Sequence, residues 1–443
     1  MAPSQGDGRS LMPRHTADAS QNAFPPKRLS RPLASWVWRD AGGMVGLRLH
    51  REWVMAEAAF ADRVPTAAEH AASMAEYMHA GEQRGRAIGN RGPVRFASGN
   101  VLAGEIQGAY WEHGFYVFEN VIGTEELEEL RAAMAEMLSR APVAKDAEVD
   151  ASGRPALGSE FKRPTFTWVR PLSDPVGGTE LVGGRHPSKM VEPKPREDAP
   201  KEVLHLVYGM CQTMDAGLRL YGHPQLLAIA ENINGADFTP FNDAIFVKQP
   251  GLGGSVAWHQ DGLTHWNSPD WNEGIHGFNF QVQLYPTTPG NCLWVVPGTH
   301  KRGKLDIKAM VKANGGSERL PDAVPLTCQP GDVTMVNRQM LHCSFANTSP
   351  DLRISMTFGF HRRASVVGAR SVLGANDGEL YDEQRVFDRS AVIAVAIDAR
   401  RQRFPDEEAY VYQPFVGLED DFRWSPDTYE RVIRDYNLKD LGI

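Results

Sequence analysis

Short apolar runs separated by proline–glycine turns occupy the second half of this 443-residue chain. Each run has the length and the alternating or continuous apolar character of a β-strand, and a turn signal ends it before the next one begins. The runs lie at 244–249, 277–285, 292–296, 332–337 and 354–360, and the turns are Pro250-Gly251, Pro289-Gly290, Pro297-Gly298 and Pro330-Gly331. This spacing predicts an antiparallel barrel or a double-sheet jelly roll with its core at about 238–365.

Helical patterns flank this β-rich core. Apolar residues spaced by three or four predict short helices within 51–81, a helix capped at Thr124 and another at 202–217. Near the C-terminus, Ser425 can cap a helix at 425–437 that has Pro426 at its first position. The sequence therefore predicts a mainly β fold with a helical surround and with helical extensions before and after the core.

The chain divides into four predicted parts. Residues 1–32 mix Pro, Ser, Arg and Gln without an apolar segment, so we expect a disordered tail and no signal peptide. A helical N-terminal extension follows at 33–107, then the core domain at 108–365, and then a C-terminal extension at 366–443 that packs on the core. Prolines, glycines and basic clusters at about 146–200 predict an insert in the core domain with sparse regular structure.

Composition excludes several classes of function. The net charge is −8 and there is no long basic run, which argues against nucleic acid or an anionic membrane as a partner. No apolar stretch approaches the roughly 20 residues that cross a bilayer. Four cysteines without C-x-x-C pairing argue against a disulfide scaffold, so we expect a cytoplasmic protein. We expect a monomer or homodimer that acts on a small molecule.

A histidine and a carboxylate two residues apart are the first candidate for chemistry. His259 and Asp261 would point to one face of an extended strand, where a single metal ion could bind both. His342, just beyond the predicted strand at 332–337, is the best candidate for a third ligand. Two histidines and one carboxylate form the facial triad of non-haem Fe(II) oxygenases, which leaves three coordination positions open for a co-substrate and O2.

An arginine follows the third candidate ligand. Arg353 lies eleven residues after His342, across a turn and at the start of a predicted strand. Its planar guanidinium matches a carboxylate such as the distal end of 2-oxoglutarate. Two other classes remain open, a cupin-like isomerase or ligand-binding barrel and a zinc hydrolase, but neither needs an arginine at this spacing.

These motifs resemble the phytanoyl-CoA dioxygenase family of Fe(II)- and 2-oxoglutarate-dependent oxygenases. The resemblance covers about 108–362, and its strongest motifs lie between 258 and 353. The segments that carry it are Trp258-His259-Gln260-Asp261-Gly262, Val296-Pro297-Gly298-Thr299-His300, Gly331-Asp332, the run from His342 to Ser349 that leads to Arg353, and Glu112-His113-Gly114-Phe115-Tyr116-Val117. It implies a double-stranded β-helix, a cupin-like jelly roll with iron at one mouth.

The resemblance also implies roles for individual residues. His259, Asp261 and His342 would hold Fe(II), and Arg353 with Ser344 would bind the distal carboxylate of 2-oxoglutarate. Lys248 and Gln283 would assist with the co-substrate, although a strand-end charge and a cross-strand hydrogen bond are the alternatives for these two. The implied cofactors are Fe(II), 2-oxoglutarate and O2, and ascorbate is expected to stimulate turnover.

Aromatic residues and an arginine near the first motif are candidates for substrate contacts. Trp258 and Trp266 belong to the motif and its following loop, and Trp168 and Arg163 lie in the predicted insert. Aromatic surfaces with arginines suit a planar or apolar substrate that bears an anionic group. Packing in the core or in a lid is the alternative for each of the four.

The resemblance predicts a reaction class and leaves its outcome open. We expect hydroxylation of an unactivated C–H bond of a small organic molecule, with release of succinate and CO2. Asp261 argues against halogenation, because halogenating relatives replace this carboxylate by a small residue. Desaturation or cyclisation stays open, since the outcome depends on how the substrate is placed.

Overall fold

The computed structural model describes residues 64–373 and 377–442. The predicted tail at 1–32 and the predicted extension up to residue 63 lie outside the described residues. The strands are β1 (Arg91–Pro93), β2 (Phe115–Glu119), β3 (Phe166–Val169), β4 (Val203–Tyr208), β5 (Thr239–Lys248), β6 (Val256–His259), β7 (Phe278–Gln283), β8 (Leu293–Val295), β9 (Val324–Leu326), β10 (Val333–Asn337), β11 (His342–Ser344) and β12 (Arg353–His361). The α-helices are α1 (Ala67–Ile88), α2 (Gly104–His113), α3 (Thr124–Ser139), α4 (Met210–Thr213), α5 (Asp215–Tyr221), α6 (Pro224–Asn234), α7 (Ile307–Ala313), α8 (Glu383–Arg403) and α9 (Pro426–Thr428).

The strands form two sheets. The larger sheet has the order β1-β2-β10-β7-β12-β5-β4-β3, and the smaller has the order β6-β11-β8-β9. Neighbouring strands are antiparallel apart from the parallel pair β1 and β2. This arrangement confirms the predicted jelly-roll, double-stranded β-helix fold class. The strands within the described part of the chain stay in two sheets and do not close into a barrel.

Alternation along the strands gives the larger sheet an apolar face and a polar face. On β12, Ile354, Met356 and Phe358 belong to the main hydrophobic cluster, to which α3, α5, α6 and α8 also contribute. The intervening Arg353 and Ser355 lie on the opposite face and are hydrogen-bonded to each other. The helices therefore cover the apolar face, and the polar face is turned toward the smaller sheet.

The helix predicted at 202–217 is wrong in its first half. Val203–Tyr208 form β4, which pairs with β3 on one side and β5 on the other. The run is apolar and rich in β-sheet formers, so helical periodicity alone does not identify it. Pairing along both edges stabilises the extended backbone here, and helices α4 and α5 follow only after Gly209.

The described part of the N-terminal extension contacts both sheets. A capping box between Thr66 and Glu69 begins α1, and Tyr77 of this helix stacks on Trp294 of β8 with ring centroids 4.8 Å apart. Strand β1 then joins the edge of the larger sheet. Helix α2 runs across the boundary predicted at 107/108, so the division into an extension and a core domain stays a prediction.

Arginine side chains connect the C-terminal segment to the rest of the fold. Arg389 of α8 donates to the carbonyl oxygen of Phe241 in β5 at 2.5 Å and to Asp440 at 3.0 Å. Arg163, in the insert, donates to the carbonyl oxygen of Asn437. The segment after α8 is thus held against both β5 and the insert. Within residues 64–373 and 377–442, no helix combines the length and the apolar character that crossing a bilayer demands.

Candidate metal centre

Two neighbouring strands of the smaller sheet bring the three predicted ligands together. His259 ends β6 and His342 begins β11, and the two residues are direct partners in the antiparallel register. Nε2 of His259 lies 3.6 Å from Oδ1 of Asp261, and Nε2 of His342 lies 4.0 Å from Oδ2 of the same carboxylate. The potential ligand atoms of the three residues all lie within 4.8 Å of one another, so one cation can reach all three.

Backbone carbonyls orient both imidazoles. Nδ1 of His259 lies 2.8 Å from the carbonyl oxygen of Ala257, and Nδ1 of His342 lies 2.8 Å from that of Met340. Because a carbonyl can only accept, Nδ1 carries the proton in each ring and Nε2 presents its lone pair. Burial lowers the pKa of both histidines, which keeps them neutral. Two neutral imidazoles oriented in this way, beside a carboxylate, fit an Fe(II) ion.

The carboxylate of Asp261 is held in its charged form. Burial alone would raise its pKa, but Arg185 and the neighbouring histidines lower that pKa to about 2. Arg185 places Nη1 at 2.6 Å from Oδ1, and Asn279 of β7 donates from Nδ2 to Oδ2 at 3.2 Å. Asp261 is therefore an anion at neutral pH, as a metal ligand must be.

Two residues of this site, Arg185 and His186, are absent from the sequence predictions. Both lie in the insert, where the sequence shows no periodicity that could have indicated them. The ring of His186 lies on that of His259 with centroids 4.1 Å apart, and burial lowers its pKa to about 3. The insert thus supplies a cation and a neutral ring to a centre whose three predicted ligands come from the smaller sheet and the residues after it.

The predicted co-substrate arginine is buried among uncharged groups. Arg353 donates to Oγ of Ser355 at 2.8 Å, to the carbonyl oxygen of Asn291 at 2.9 Å and to Oε1 of Gln281 at 2.9 Å. Burial lowers its pKa to about 10, so the guanidinium is still charged at neutral pH. The acceptors that orient this cation do not neutralise it.

The other predicted co-substrate residues lie around Arg353. Oγ of Ser344 is buried and finds no hydrogen-bond partner among the residues that the structure describes. Lys248 is fully buried and donates to the carbonyl oxygen of Phe345 at 2.6 Å, and burial together with Arg353 lowers its pKa well below the usual value. Gln283 reaches Arg353 indirectly, by accepting from Ser355 at 2.6 Å.

Direct contact with Arg353 comes from Gln281, which the sequence predictions did not include. Gln281 and Gln283 are two residues apart on β7, so both lie on the polar face of the larger sheet. Either one fits the spacing argument, and the hydrogen bonds separate them, because Ser355 donates to Gln283 whereas Arg353 donates to Gln281. The register pairs Ser355 with Gln283 and Thr357 with Gln281, so the guanidinium of Arg353 extends past Gln283 to reach Gln281.

Two of the four residues predicted to contact substrate make other contacts in the structure. Trp258 precedes His259 on β6 and points to the opposite face, where it is fully buried and donates from Nε1 to the carbonyl oxygen of Glu318 at 2.7 Å. The guanidinium of Arg163 holds the C-terminal segment through Asn437 and lies 3.8 Å from Asp440. Core packing and chain anchoring explain these two side chains.

The other two tryptophans have different surroundings. Trp168 lies on the edge strand β3 and packs against the main hydrophobic cluster, in line with the packing alternative. Trp266 donates from Nε1 to the carbonyl oxygen of Asp261 at 3.3 Å, and the ammonium of Lys304 lies 4.4 Å from its ring centroid. Trp266 thus lies beside the candidate metal centre, and its role as a substrate contact stays a prediction.

Sequence comparison connects the chain to a known family. The sequence model of phytanoyl-CoA dioxygenase (PhyH) matches residues 110–355, more than half of the chain. Phytanoyl-CoA dioxygenase 1 of Oryza sativa subsp. japonica is 32% identical over 117 residues, which are 25% of this chain and 40% of that protein. The chain therefore spans about two-fifths of the length of this relative. The phytanoyl-CoA dioxygenase domain-containing protein 1 of Danio rerio is 22% identical over 58% of this chain and 90% of its own.

Solved structures with a similar arrangement are more distant. The crystal structure of EctD from S. alaskensis with 2-oxoglutarate and 5-hydroxyectoine covers 61% of this chain and 80% of its own, with 19% sequence identity and a TM-score of 0.41. A likeness at this level carries no functional argument. The family match is the comparison that agrees with the motifs around the metal centre.

Proposed function

Because the chain belongs to the phytanoyl-CoA dioxygenase family, we propose that it is an Fe(II)- and 2-oxoglutarate-dependent oxygenase that hydroxylates an unactivated C–H bond of a small organic molecule. The products of the co-substrate are succinate and CO2. The observation that supports this proposal most strongly is the convergence of His259, Asp261 and His342 around one point, with both Nε2 atoms presented by backbone hydrogen bonds.

These three residues would hold the iron. Three ligands on one face leave the opposite coordination positions for the keto acid and O2. When bound, Fe(II) with 2-oxoglutarate and O2 supplies the oxidising power for attack on a C–H bond. The chain's contribution is to keep both imidazoles neutral and Asp261 ionised, which burial and the guanidinium of Arg185 achieve.

Arg353 would bind the distal carboxylate of 2-oxoglutarate, with Ser344 as a second donor. A buried guanidinium with uncharged acceptors favours an incoming anion, because the cation is already desolvated and oriented. The Oγ atom of Ser344 is a donor that the described residues leave unused. Lys248 and Gln283 would support this end of the pocket, Lys248 as a buried amine and Gln283 by fixing Ser355.

The type of product and the biological setting are also proposals. Hydroxylation is the expected outcome, and desaturation or cyclisation would require the same ligands with a different substrate placement. The small-molecule substrate, the monomeric or homodimeric state, the cytoplasmic location and the stimulation by ascorbate stay predictions from the sequence.

The test is anaerobic addition of Fe(II) and 2-oxoglutarate to the purified chain. We expect a visible charge-transfer band from the chelated keto acid, and we expect His342→Ala and Asp261→Ala to abolish it while the circular dichroism spectrum stays unchanged. His79→Ala, an exposed histidine on α1, is the matched control and should keep the band. A folded wild-type chain without the band, or a band that survives in either ligand variant, would contradict the proposal. A metabolite screen for faster succinate release then identifies substrates.

A further inference from the structure

One loop of the insert reaches the candidate metal centre, and hydrogen bonds to a single aspartate hold its two ends together. At the base of this loop, Asp174 accepts hydrogen bonds from the backbone N–H groups of Gly177 at 2.9 Å and Met190 at 2.8 Å. Between these points, Arg185 contacts Asp261 and His186 lies on His259. We call residues 174–191 the anchor loop. Both ends of the loop that carries Arg185 are thus held by one carboxylate.

Arg185 has donors that the fold does not use. Its Nη1 donates to Oδ1 of Asp261 at 2.6 Å. Its Nε is buried and lacks a hydrogen-bond partner in the part of the chain that the structure describes. A guanidinium presents several N–H donors in a planar fork, which matches the two oxygens of a carboxylate or a phosphate. A buried donor without a protein partner can donate to a ligand or to a water molecule.

The counter-charge of Arg185 comes from an acid that has another proposed role. In the described residues, the ion pair recorded for Arg185 is the one with Asp261, whose side chain is 8% exposed against 17% for the arginine. The proposed function gives the charge of Asp261 to a divalent cation. Arg185 would then lie in a poorly solvated place without a full counter-charge, which favours the binding of an anion from outside the chain.

The neighbouring sheet face offers polar atoms to the same space. Thr357 has the same parity on β12 as Arg353, so it lies on the polar face of the larger sheet, and it pairs with Gln281 across the strand. Oγ1 of Thr357 and Oδ1 of Asn279 are both buried, and neither has a hydrogen-bond partner within residues 64–373 and 377–442. Asn279 reaches Asp261 with its Nδ2. The wall beside the metal centre can therefore accept and donate hydrogen bonds.

We propose that the substrate is a small organic acid, with its carboxylate or phosphate group bound by Arg185 and a further polar group against Asn279 and Thr357. This inference rests on the proposed function and deepens it by naming the class of substrate. Arg185 is then a specificity residue that binds the substrate's anionic group, distinct from Arg353, which serves the co-substrate. An uncharged hydrocarbon chain would leave the donors of Arg185 unused and is excluded as the group that lies there.

The experiment measures binding without turnover. The chain is loaded anaerobically with Fe(II) and 2-oxoglutarate, and a panel of carboxylic acids and phosphate monoesters is titrated, each acid paired with its neutral amide or alcohol. The readout is the change in the visible band of the iron–keto-acid complex. The variants are Arg185→Gln, Arg185→Lys, and Arg170→Gln as the matched control, an exposed arginine of the insert that pairs with Glu192.

We expect at least one acid to perturb the wild-type band while its neutral counterpart does not. Arg185→Gln should weaken the binding of that acid by about tenfold or more, Arg185→Lys should recover part of the affinity, and Arg170→Gln should behave as wild type. The affinity for 2-oxoglutarate should be the same in Arg170→Gln as in wild type. The acids are titrated at saturating Fe(II) and 2-oxoglutarate in every variant, because Arg185 also contacts the proposed iron ligand Asp261.

Three outcomes would overturn this inference: a panel in which no acid perturbs the band, acid binding that Arg185→Gln leaves unchanged, or a loss of acid binding that Arg170→Gln reproduces. A wild-type chain that forms no band at all counts against the proposed function instead, so the two failures are distinguishable.

Discussion

Arg353 donates from Nη2 to the side-chain oxygen of Gln281 at 2.9 Å, and this bond spans the pairing of β12 with β7. Two further bonds, to Ser355 and to the backbone of Asn291, fix the plane of the guanidinium. All three acceptors are uncharged, so the pocket holds an oriented positive charge. Orientation by neutral groups leaves the Coulomb attraction available for a carboxylate ligand.

Replacing the guanidinium should weaken co-substrate binding. We expect Arg353→Gln to raise the 2-oxoglutarate concentration for half-maximal band formation by tens to about a thousandfold, because about 2 to 4 kcal/mol of charge-assisted hydrogen bonding is lost. Anaerobic titration with 2-oxoglutarate measures this. For Arg353→Lys, this concentration should lie between those of wild type and Arg353→Gln, because lysine keeps the charge but lacks the planar pair of donors. An unchanged titration midpoint in Arg353→Gln would place the keto acid elsewhere.

Ser344→Ala separates binding from stability. Oγ of Ser344 makes no hydrogen bond to the residues described here, so its removal costs the fold no internal bond. We expect an unfolding free energy within about 0.5 kcal/mol of wild type and a 2-oxoglutarate affinity lower by about 1 kcal/mol, or fivefold. Urea denaturation and the anaerobic titration give the two quantities. A large loss of stability with normal affinity would show a structural role.

Truncation of Trp258 should mainly lower stability, whereas truncation of Trp266 should mainly change substrate binding. Trp258 is fully buried in the cluster around Phe345, so Trp258→Ala should lower the unfolding free energy by about 3 to 5 kcal/mol. Trp266 is partly exposed beside Asp261, so Trp266→Ala should cost less than about 1 kcal/mol and should change substrate binding instead. Urea denaturation of both variants tests the ranking, and equal losses would contradict it.

The buried acid Glu318 should make the free energy of unfolding depend on pH. Burial raises the pKa of Glu318 from 4.5 to about 7, although its carboxylate accepts from the backbone of Val191. The folded state therefore binds this proton more tightly than the unfolded state. The stabilisation that this bound proton contributes to the folded state is fully present below about pH 4.5, and it is lost as the pH rises through about 7.

Glu318→Gln should remove this dependence. The amide keeps an acceptor for Val191 and cannot ionise, so the variant should gain stability relative to wild type as the pH rises, reaching about 3 kcal/mol at pH 8. Urea denaturation between pH 5 and 8 measures the difference. Asp322→Asn replaces an exposed acid nearby by its amide and serves as the control. A difference that is constant with pH would refute the assigned cause.

The sequence was sufficient to predict the family and the fold class, because both depend on short motifs in and beside the strands. His259 and Asp261 are two residues apart, and the following pairing of β6 with β11 brings His342 opposite His259. The family and the fold class were confirmed for this reason, since both rest on motifs in and beside strands. The same strand alternation also shows that Trp258 must point away from His259, although the sequence interpretation placed both in the site.

The remaining features depend on contacts that no local pattern encodes. Arg185 reaches Asp261 because Asp174 closes the anchor loop, and a stretch rich in proline and glycine carries no periodicity from which that closure follows. Arg163 was interpreted as a substrate contact because of its position in the insert, yet its partner Asn437 lies near the other end of the chain. Likewise, β4 extends because β3 and β5 lie on both sides of it.

Because Asp174 closes the anchor loop, the orientation of the two histidines and the placement of Arg185 are supported by different parts of the chain. The carbonyl groups that orient His259 and His342 lie two residues before each histidine in the chain, whereas Arg185 is carried by a loop whose base is closed by Asp174. Residues between Gly178 and Lys189 can thus be exchanged while the backbone hydrogen bonds to His259 and His342 are kept. Under the proposed function, this segment is the place where loop grafting would change the accepted substrate, and where related chains could diverge in the compounds that they bind.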